Sequence, residues 1–234
     1  MKNILKKLAS RIRPKPNFFR NHKLFEIIGG AEPIILDIGA YDGGEIEEIF
    51  ECWSKAKVFA FEIDKEAIIK FRTKWSKEIE KGQVVLVEKA VCEELGTTQF
   101  FPSLERLDNK YGYGVRWAMS GSINKPKKHL DKWAITFGEP LEVQSTRLDE
   151  WCLENLGTKT IDLIYADVNG GERELIEGGL DTLQNRTRLF YTEYFDEEIY
   201  EGQPSKDWIL SRLTNFELAE IIGHNMLLQN RKLA

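Results

Sequence analysis

Long apolar runs and paired cysteines are both missing from this 234-residue sequence. No stretch approaches the ~18 consecutive apolar residues that a membrane-spanning helix needs, and the N-terminus lacks the apolar segment of a secretory signal. The three cysteines are odd in number and far apart, which favours buried, reduced thiols over disulfides. The sequence therefore predicts a cytoplasmic protein.

An excess of positive charge is missing as well. The chain carries 33 Lys plus Arg against 38 Asp plus Glu, a formal net charge of -5, so overall charge gives no reason to expect nucleic acid as a partner. Compact His or Asp pairs with the spacing of metal ligands are also lacking, so no metal site is predicted. The length and the 42% share of hydrophobic residues suit one globular domain.

Acidic residues are absent from the first 23 positions. Apolar residues at helical spacing between Ile4 and Ile12 predict a short basic amphipathic helix that ends near Pro14. We expect residues 1–30 to form a basic extension and residues 31–234 to form the domain. Two interpretations of the extension stay open: weak contact with a membrane surface, an acidic partner or a charged substrate, or simple packing of its apolar stripe on the domain.

From Pro33 onward the hydrophobic period changes repeatedly. The runs PIILD, VFAFEID and QVVLVEKAV are typical of buried parallel strands, and the segments between them have helical spacing, including one helix over residues 65–79. Strands alternating with helices predict an α/β fold with an open, mostly parallel sheet and helices on both faces. Further strands are LEVQSTRLD, IDLIYADV and RLFYTEYF; NGGERELIEGGLDTL has helical spacing, and FELAEIIGHNMLLQN closes the chain as two strands joined near Gly223 and His224.

A stretch at about residues 102–138 interrupts the alternation and is too long for an ordinary connection. Long segments of this kind are usually lids or binding elements, so we expect it to face a substrate. Aromatic rings can stack on a sugar or flat ring, and a guanidinium can pair with a carboxylate. The candidate substrate-binding residues of this stretch are Tyr113, Arg116, Trp117 and Ser122. Its lysines indicate either an anionic substrate or a solvated charge run; they are Lys125, Lys127, Lys128 and Lys132.

The turn DIGAYDGG at residues 37–44 follows the first predicted strand. Tyr41 stands where a dinucleotide fingerprint needs a glycine, which disfavours NAD and FAD, and no Walker-type phosphate loop occurs. Glu62, at the tip of the second strand, can accept hydrogen bonds from both ribose hydroxyls of an adenosine. A nucleoside without a pyrophosphate is thus favoured, and S-adenosylmethionine fits best, with its amino group near Asp37.

Parallel strands end at one edge of their sheet, so the residues that follow them should line one crevice. The end of the third strand is expected to border the adenine ring, and the end of the fourth the methionine part. The predicted cofactor-binding residues are Asp37, Gly39, Ala40, Tyr41, Gly43, Glu62, Ile63, Lys89, Ala90, Asp167 and Val168.

Six segments occur in the order DIGAYDGG, FEID, VEKAV, TRLDEW, IDLIYADVNGGERELIEGG and YTEYF. Over about residues 33–195 this pattern resembles the FkbM-like family of S-adenosylmethionine-dependent methyltransferases, most specifically in the pairing of TRLD with the IDLIYADVNGGERELIEGG segment. The resemblance implies a Rossmann-like class I fold with seven strands, the last one antiparallel. It also implies methylation of a hydroxyl on a saccharide or secondary metabolite, as in natural product biosynthesis.

Two positions depart from the family pattern. Asn169 stands where the family commonly has a glutamate before the glycine, and Tyr165 stands where it often has a lysine. This chain lacks the carboxylate at position 169, so any acceptor or base role carried by that position in the family does not transfer to it.

A hydroxyl acceptor must lie in line with the methyl donor and lose its proton to a nearby group. Three residues are candidate catalytic groups: Glu193 after the fifth strand, Asp167 between cofactor and acceptor, and His129 in the long stretch. An exposed loop histidine is the alternative interpretation of His129. Glu172 can equally serve the helix dipole, and Tyr194 is a further candidate substrate contact.

The identity of the acceptor stays open between a small molecule, a peptide and a saccharide. A carboxyl methyltransferase acting on a peptide or acid needs no base, which fits a sequence with few good bases. A non-catalytic protein that keeps the cofactor pocket is a third interpretation, and Asn169 is the feature that favours it.

Overall fold

The computed structural model describes residues 18–21, 24–108 and 116–233. In chain order its first elements are α1 (Phe18–Asn21), α2 (Leu24–Ile28), β1 (Ile34–Ile38), α3 (Gly44–Cys52), β2 (Lys57–Phe61), α4 (Lys65–Lys74), α5 (Ser76–Glu80), β3 (Val84–Val87), β4 (Ala90–Val91), β5 (Gly96–Phe100) and β6 (Ser103–Arg106). A short 3-10 turn at Ala118–Ser120 is followed by α6 (His129–Trp133), β7 (Ile135–Phe137), β8 (Leu141–Thr146), α7 (Leu148–Leu156), β9 (Ile161–Ala166), α8 (Glu172–Gly178), α9 (Leu180–Arg186), β10 (Thr187–Glu193), α10 (Lys206–Arg212), β11 (Phe216–Ile222) and β12 (Asn225–Asn230).

A seven-stranded sheet in the order β11-β12-β10-β9-β1-β2-β3 forms the centre of the fold. β1 is parallel to β2 and β9, β2 is parallel to β3, and β9 is parallel to β10, whereas β12 is antiparallel to β10 and β11. The predicted class I arrangement, with the last strand antiparallel, is confirmed. Strand order reverses between β1 and β9, and ligands of open α/β sheets bind outside the carboxyl ends of the strands at such a switch point.

Apolar side chains cover the sheet on both faces, because alternate residues of a strand point in opposite directions. Leu36 and Ile38 of β1 belong to a cluster that includes residues of α7 to α10, and Ile35 belongs to a second cluster with residues of α1 to α4. Helices therefore pack on both faces, as the sequence predicts.

The described part of the predicted N-terminal extension is packed into the domain. Phe19, Leu24 and Ile28 are buried in the second cluster, and the amide of Phe18 donates a hydrogen bond of 2.7 Å to the carboxylate of Glu48. The apolar residues of this segment therefore help to cover one face of the sheet. The predicted basic amphipathic helix lies outside the described residues.

Two predicted helices are each divided in two. The segment over residues 65–79 forms α4 and α5, separated at Trp75, and NGGERELIEGGLDTL forms α8 and α9. Gly179 lies between α8 and α9 with φ -132° and ψ 20°, outside the helical region. Glycine has a low helix propensity, so the pair Gly178-Gly179 favours a break that periodicity alone does not reveal.

The long stretch after β5 is a folded element, and we call its described residues, 101–108 and 116–138, the lid. β6 and β7 form an antiparallel pair within it, and backbone bridges join Phe101 to Ser122 and Glu105 to Arg116. A third bridge joins Pro126 to Tyr200, outside the lid. The first two bridges thus join parts of the lid to each other, and the third attaches the lid to the segment after β10.

Candidate active site

A first cavity of about 390 Å³ lies at the carboxyl ends of β1, β2 and β9. The lid forms one side of it through Ala118, Met119 and residues 121–123. The predicted cofactor-binding residues that line this cavity are Gly39, Tyr41, Glu62, Ile63, Lys89, Ala90, Asp167 and Val168. Asp37, Ala40 and Gly43 do not line it.

The carboxylate of Glu62 is fixed by three backbone amides. Tyr41 donates a hydrogen bond of 2.7 Å to one oxygen, and Ile63 and Asp64 donate bonds of 2.6 and 2.7 Å to the other. Burial raises the pKa of Glu62 to about 7, and these hydrogen bonds act in the opposite direction. The carboxylate is thus held in one orientation at the tip of β2, where it borders the cavity.

Asp37 lies beneath the cavity at the end of β1. Its side chain is 1% exposed, and its Oδ2 atom has no hydrogen-bond partner in the described part of the chain. Burial raises the pKa of Asp37 well above its usual value, and the charges of Glu45, Asp167 and Glu62 raise it further. A buried carboxylate oxygen without a partner fits a cationic group such as the amino group of S-adenosylmethionine.

The glycines of the turn are required by packing. A Cβ atom on Gly39, where φ is +90°, would lie 1.9 Å from the carbonyl oxygen of Asp167. A Cβ atom on Gly43 would lie 2.4 Å from Nε1 of Trp75, which lies between α4 and α5, and Ala40 is buried in the second hydrophobic cluster. Gly43 and Ala40 therefore pack against the protein interior on the side of the turn away from the cavity, in place of the predicted direct contact with the cofactor.

Several cavity residues are not predicted from the sequence. Glu45, in the first turn of α3, lines the first cavity together with the lid residues Ala118 and Met119. A glutamate in a first helical turn has an ordinary explanation in the helix dipole, so its pattern gives no sign of a binding role. The lid residues carry no sequence signal, because only the fold brings them over the strand ends.

A second cavity of about 240 Å³ adjoins the first. Both cavities are lined by Met119, Asp167 and Asn169, so these residues mark the junction. The other residues that line the second cavity are Arg106, Trp117, Ser120, His129, Trp133, Ile135, Glu193, Phe195 and Tyr200. All three predicted catalytic residues thus border one space, although they come from three distant parts of the chain.

His129 is buried, unlike the exposed loop histidine that was the alternative expectation. It is 3% exposed, and its ring lies 4.2 Å from that of Tyr200 and 5.0 Å from those of Trp133 and Phe137, measured between ring centroids. Burial lowers the pKa of His129 to about 4, so the imidazole is neutral at pH 7. Its Nδ1 atom has no hydrogen-bond partner within the described residues.

Three carboxylates near the junction differ in their affinity for protons. Burial raises the pKa of Asp167 to about 6, with a further contribution from the charge of Glu45. Burial raises the pKa of Glu193 to about 9, and the charges of Asp167 and Glu172 add to this effect. Glu172, whose pKa burial raises to about 8, lines neither cavity.

The two departures from the family pattern have local structural reasons. Asn169 has φ +51°, a left-handed conformation that asparagine tolerates better than glutamate, and the hydroxyl of Tyr200 donates a hydrogen bond of 3.4 Å to its side-chain oxygen. Tyr165 stacks on Tyr191 at 4.7 Å and packs edge to face against Phe18 of α1. Position 165 thus connects the N-terminal helix to the wall of the first cavity.

The predicted substrate-binding residues are divided between several places. Ser122 lines the first cavity and Trp117 the second, whereas Tyr113 lies outside the described residues. Tyr194 is buried in the first hydrophobic cluster and lines neither cavity, because it follows Glu193 and points to the opposite side.

Arg116 lines neither cavity. It forms a bidentate ion pair with Asp64, its Nη1 atom lies 3.0 Å from the carboxylate of Glu66, and its Nε atom donates a hydrogen bond to the carbonyl of Ser103. Because its donors are occupied in this way, the geometry assigns Arg116 to fixing the lid on α4, in place of the predicted pairing with a substrate carboxylate.

The lysines of the lid also face protein carboxylates. Lys128 lies 3.0 Å from Glu197, which Lys132 also contacts, and Lys127 contacts Glu198. The fourth pair joins Lys125 to Glu201 at 3.8 Å. The predicted anionic substrate therefore loses this support, since the segment after β10 neutralises the lysines.

Neither metal-binding nor membrane-spanning features occur in the described parts of the chain. No group of three or more His, Cys, Asp or Glu side chains there has an arrangement that could hold a metal ion. No helix there is long and apolar enough to cross a membrane. Cys92 and Cys152 are buried, and Cys52 is half-buried.

Comparison with known proteins agrees with this geometry. A sequence model of the methyltransferase FkbM domain matches residues 37–221. The chain belongs to the FkbM methyltransferase family. It is 36% identical over 235 residues to the 2-O-methyltransferase NoeI of Sinorhizobium fredii (strain NBRC 101917 / NGR234), a match that covers 98% of this chain and 93% of the relative.

A solved structure of the same family has a similar fold. The crystal structure of methyltransferase FkbM from Methylobacillus flagellatus KT is similar with a TM-score of 0.52 at 10% identity. The match covers 85% of this chain but only 44% of the other one, so this chain spans less than half of that protein. At this identity the likeness shows the fold alone.

The FkbM methyltransferase is accordingly an S-adenosylmethionine-dependent enzyme, and its first cavity fits this cofactor. The oriented carboxylate of Glu62 borders the cavity, and the buried Oδ2 atom of Asp37, which does not line it, has no hydrogen-bond partner among the described residues. When bound, S-adenosylmethionine supplies an electrophilic methyl group on a positively charged sulfur.

Proposed function

We propose that this FkbM methyltransferase methylates a hydroxyl group of a saccharide. The observation that carries the proposal is the position of Asp167, the one titratable residue among the described ones that lines both cavities. The similar NoeI protein is named a 2-O-methyltransferase, which supports oxygen as the acceptor atom.

The first cavity would hold the cofactor by its two ends. Glu62 would accept hydrogen bonds from the ribose hydroxyls, since the amides of Tyr41, Ile63 and Asp64 already fix its carboxylate. Asp37 would stabilise the amino group of the methionine part. Fixing both ends directs the sulfonium toward the junction, and positioning of this kind supplies most of the rate in an in-line displacement.

Asp167 would remove the proton of the acceptor hydroxyl. Its pKa, which burial raises to about 6, leaves it ionised at neutral pH yet basic enough to take a proton as the oxygen attacks. General bases of this type contribute roughly 10² to 10⁴ in rate. The base thus comes from the end of β9, at the boundary between the cavities.

Glu193 would orient the acceptor as a proton donor. The charge of ionised Asp167 helps to keep the pKa of Glu193 high, at about 9 after the larger effect of burial, so Glu193 holds its proton at neutral pH. Two carboxyl groups with separated pKa values can act as a base and a hydrogen-bond donor in one site. His129, which is neutral, adds a polar contact on the same wall.

Aromatic walls would bind the sugar and exclude water. Trp117, Trp133 and Phe195 line the second cavity, and such rings offer flat apolar faces to the carbon-bound hydrogens of a pyranose. A volume of about 240 Å³ is equivalent to about eight waters at ~30 Å³ each, which suits one sugar unit. The buried thiols of Cys92 and Cys152 suit a reducing compartment, so we place the reaction in the cytoplasm.

A carboxylate acceptor is disfavoured by charge. Ionised Asp167 borders the second cavity, whereas the cations around it are engaged with protein carboxylates: Arg106 with Asp108, Arg116 with Asp64, and the lid lysines with Glu197 and Glu198. An anionic acceptor would therefore meet like charge.

The experiment is a pH profile of kcat/KM with a panel of neutral glycosides and uronic acids as acceptors. We expect activity to rise as Asp167 loses its proton, at or below about pH 6, and to fall as Glu193 loses its own near pH 9. Asp167→Asn should lower kcat by about 10²-fold or more. Glu193→Gln, which keeps an N–H donor, should remain active and lose the high-pH limb.

Binding of S-adenosylhomocysteine to each variant is the control, since it separates loss of cofactor from loss of the base. An Asp167→Asn variant that keeps nearly full kcat would refute the assignment of the base. Faster methylation of uronic acids than of neutral glycosides, at a carboxyl group, would favour the carboxyl methyltransferase. Cofactor binding without turnover on any acceptor would favour a regulatory protein.

A further inference from the structure

Asn169 lies at the junction of the two cavities, where the methyl donor and its acceptor would meet. Like Met119 and Asp167, it lines both of them. Met119 is apolar and Asp167 is the proposed base, so Asn169 supplies the junction with a neutral polar group. The side chain of Asn169 is half-buried, and its Nδ2 atom forms no hydrogen bond with any described residue.

Tyr200 orients the side-chain amide of Asn169. Tyr200 is 1% exposed, and its hydroxyl lies 3.4 Å from the Oδ1 atom of Asn169 and 2.8 Å from the carbonyl oxygen of Ser120 in the lid. These contacts keep Oδ1 turned toward the protein. The Nδ2 group, with its two N–H donors, is therefore left for a molecule in the cavities.

The backbone next to Asn169 is held by three contacts. A Cβ atom on Gly170 would lie 2.6 Å from atoms of the Tyr200 side chain, so the ring packs directly on this turn. The lid residue Asn124 donates a hydrogen bond of 2.8 Å to the carbonyl of Gly170, and the amide of Gly170 donates one of 3.3 Å to the carboxylate of Glu172. A group held in this way loses little freedom when it binds a ligand.

Asn169 and Asp167 can reach neighbouring atoms of one acceptor. They are two residues apart in one turn, so their Cα atoms lie less than about 8 Å apart. Asp167 would take the proton of the hydroxyl that is methylated. A second polar group at this short spacing suits the oxygen on the next carbon atom, and a hydroxyl there can accept a hydrogen bond from Nδ2.

We propose that Asn169 is a specificity residue that binds a second hydroxyl, on the carbon next to the methylated one, so that the enzyme requires a vicinal diol. The inference rests on the proposed function and narrows its acceptor class. Saccharides carry vicinal hydroxyls, whereas simple alcohols do not. A site built to hydrogen-bond a hydroxyl rejects an analogue that lacks it, because the polar group of the site is then left unpaired.

The test compares methyl hexopyranosides with monodeoxy analogues that lack the hydroxyl next to the methylated one. For the unaltered full chain we expect kcat/KM to favour the diol by about tenfold or more. Asn169→Gly removes the amide, and glycine accommodates φ +51°, so the variant should fold. Its preference should fall below about threefold, through a loss on the diol alone. Binding of S-adenosylhomocysteine should change less than twofold.

A second variant tests how the amide is oriented. Tyr200→Phe keeps the ring that packs on Gly170 and removes the hydroxyl that contacts Asn169, so its preference for the diol should lie between those of the unaltered chain and Asn169→Gly. Tyr194→Phe is the matched control, because this buried tyrosine lines neither cavity. It should keep the full preference.

The outcomes separate this inference from the proposed function. An unchanged preference in Asn169→Gly, or an equal loss on both acceptors, would overturn the role of Asn169. Equal activity of the unaltered chain on the diol and its deoxy analogue would overturn it too, as would weaker binding of S-adenosylhomocysteine as the main effect of the substitution. In each of these cases methylation of a glycoside would still support the proposed function. Absence of methylation on every glycoside would contradict that function and this inference with it.

Discussion

Single residues at the strand ends shape the active site through their backbones as well as their side chains. Gly39 and Asn169 both have positive φ, at +90° and +51°, and they lie in the turns that follow β1 and β9. The carbonyl of Asp167 occupies the space where a Cβ atom of Gly39 would lie. The position of the proposed base therefore depends on a glycine in another turn.

The first prediction concerns Gly39→Ala. A Cβ atom there would lie 1.9 Å from the carbonyl oxygen of Asp167, and the backbone would also be strained, so we expect a loss of several kcal/mol and weaker cofactor binding. The matched control is Gly202→Ala, where φ is +79° and nothing lies within 4 Å, so that only strain of about 1 kcal/mol is expected. Urea unfolding measures the loss of stability in each variant. Equal losses in the two variants would show that the close approach of the Cβ atom to Asp167 is unimportant.

The second prediction concerns the burial of His129. Its pKa is about 4 in the folded protein and 6.5 as an ordinary histidine, so between these values the unfolded chain binds more protons and stability rises with pH. As pH falls from 6.5 toward 4, the folded protein therefore loses stability relative to the unfolded chain, by about 3 kcal/mol at most. Above pH 6.5 His129 causes no such loss. His129→Gln should flatten the dependence of unfolding free energy on pH in this window, whereas the exposed His224→Gln should not.

At the scale of elements, the lid is held over both cavities by two separate sets of ion pairs. Arg116 fixes it to the N-terminus of α4, where Asp64 also caps the helix by accepting from the amides of Glu66 and Ala67. Lysines at its other end contact Glu197 and Glu198 in the segment after β10. Exposed pairs are individually weak, so the buried contact with Asp64 is expected to dominate.

The third prediction tests that contact. Arg116→Ala leaves the buried carboxylate of Asp64 without its cation, so we expect a loss of about 2 kcal/mol, faster proteolysis within the lid and a higher KM for the acceptor. The double variant with Asp64→Asn keeps a capping side chain without the charge and should recover part of the stability. Arg72→Ala, which breaks an exposed pair with Glu88, is the control; an equal effect there would contradict the role of Arg116.

At the scale of the whole molecule, the fold includes residues before the matched family domain. α1 and α2 supply Phe19 and Leu24 to the core, and Phe18 contacts both Tyr165 and Tyr191. The guanidinium of Arg188 also donates to the carbonyls of Ile27 and Ile28. The N-terminal segment is therefore connected to β9 and, through Tyr165, to the wall of the cofactor cavity.

The fourth prediction follows from this packing. Phe19→Ala should cost about 3–5 kcal/mol, because the ring is 1% exposed and its removal leaves a cavity. Phe25→Ala, at a side chain that is 41% exposed, should cost less than about 1 kcal/mol. A chain that starts at residue 31 should aggregate or unfold at a lower temperature than the full chain. Normal stability of that shorter chain would show that the extension is independent.

Local patterns were sufficient for the sheet and for part of the site. Buried parallel strands are short apolar runs, and their carboxyl ends meet at one edge, so Glu62 and Asp167 could be placed at a crevice from spacing alone. The turn after β1 was likewise recognisable as a ligand-binding turn. The sequence does not reveal why this turn needs its glycines, because Gly39 and Gly43 are packed against atoms of residues that are distant in the sequence.

The sequence by itself determined the class of fold, the alternation of strands and helices along the chain and the type of cofactor, since these depend on periodicity and on residues next to strand ends. Only the tertiary structure decided what the charges of the lid contact, that His129 is buried and lines the same cavity as Glu193, and that Glu45 lines the cofactor cavity. The physical reason is the distance along the chain over which each effect acts. Hydrophobic period and turn chemistry act over a few residues, whereas burial and ion pairing depend on neighbours that only the folded chain brings together.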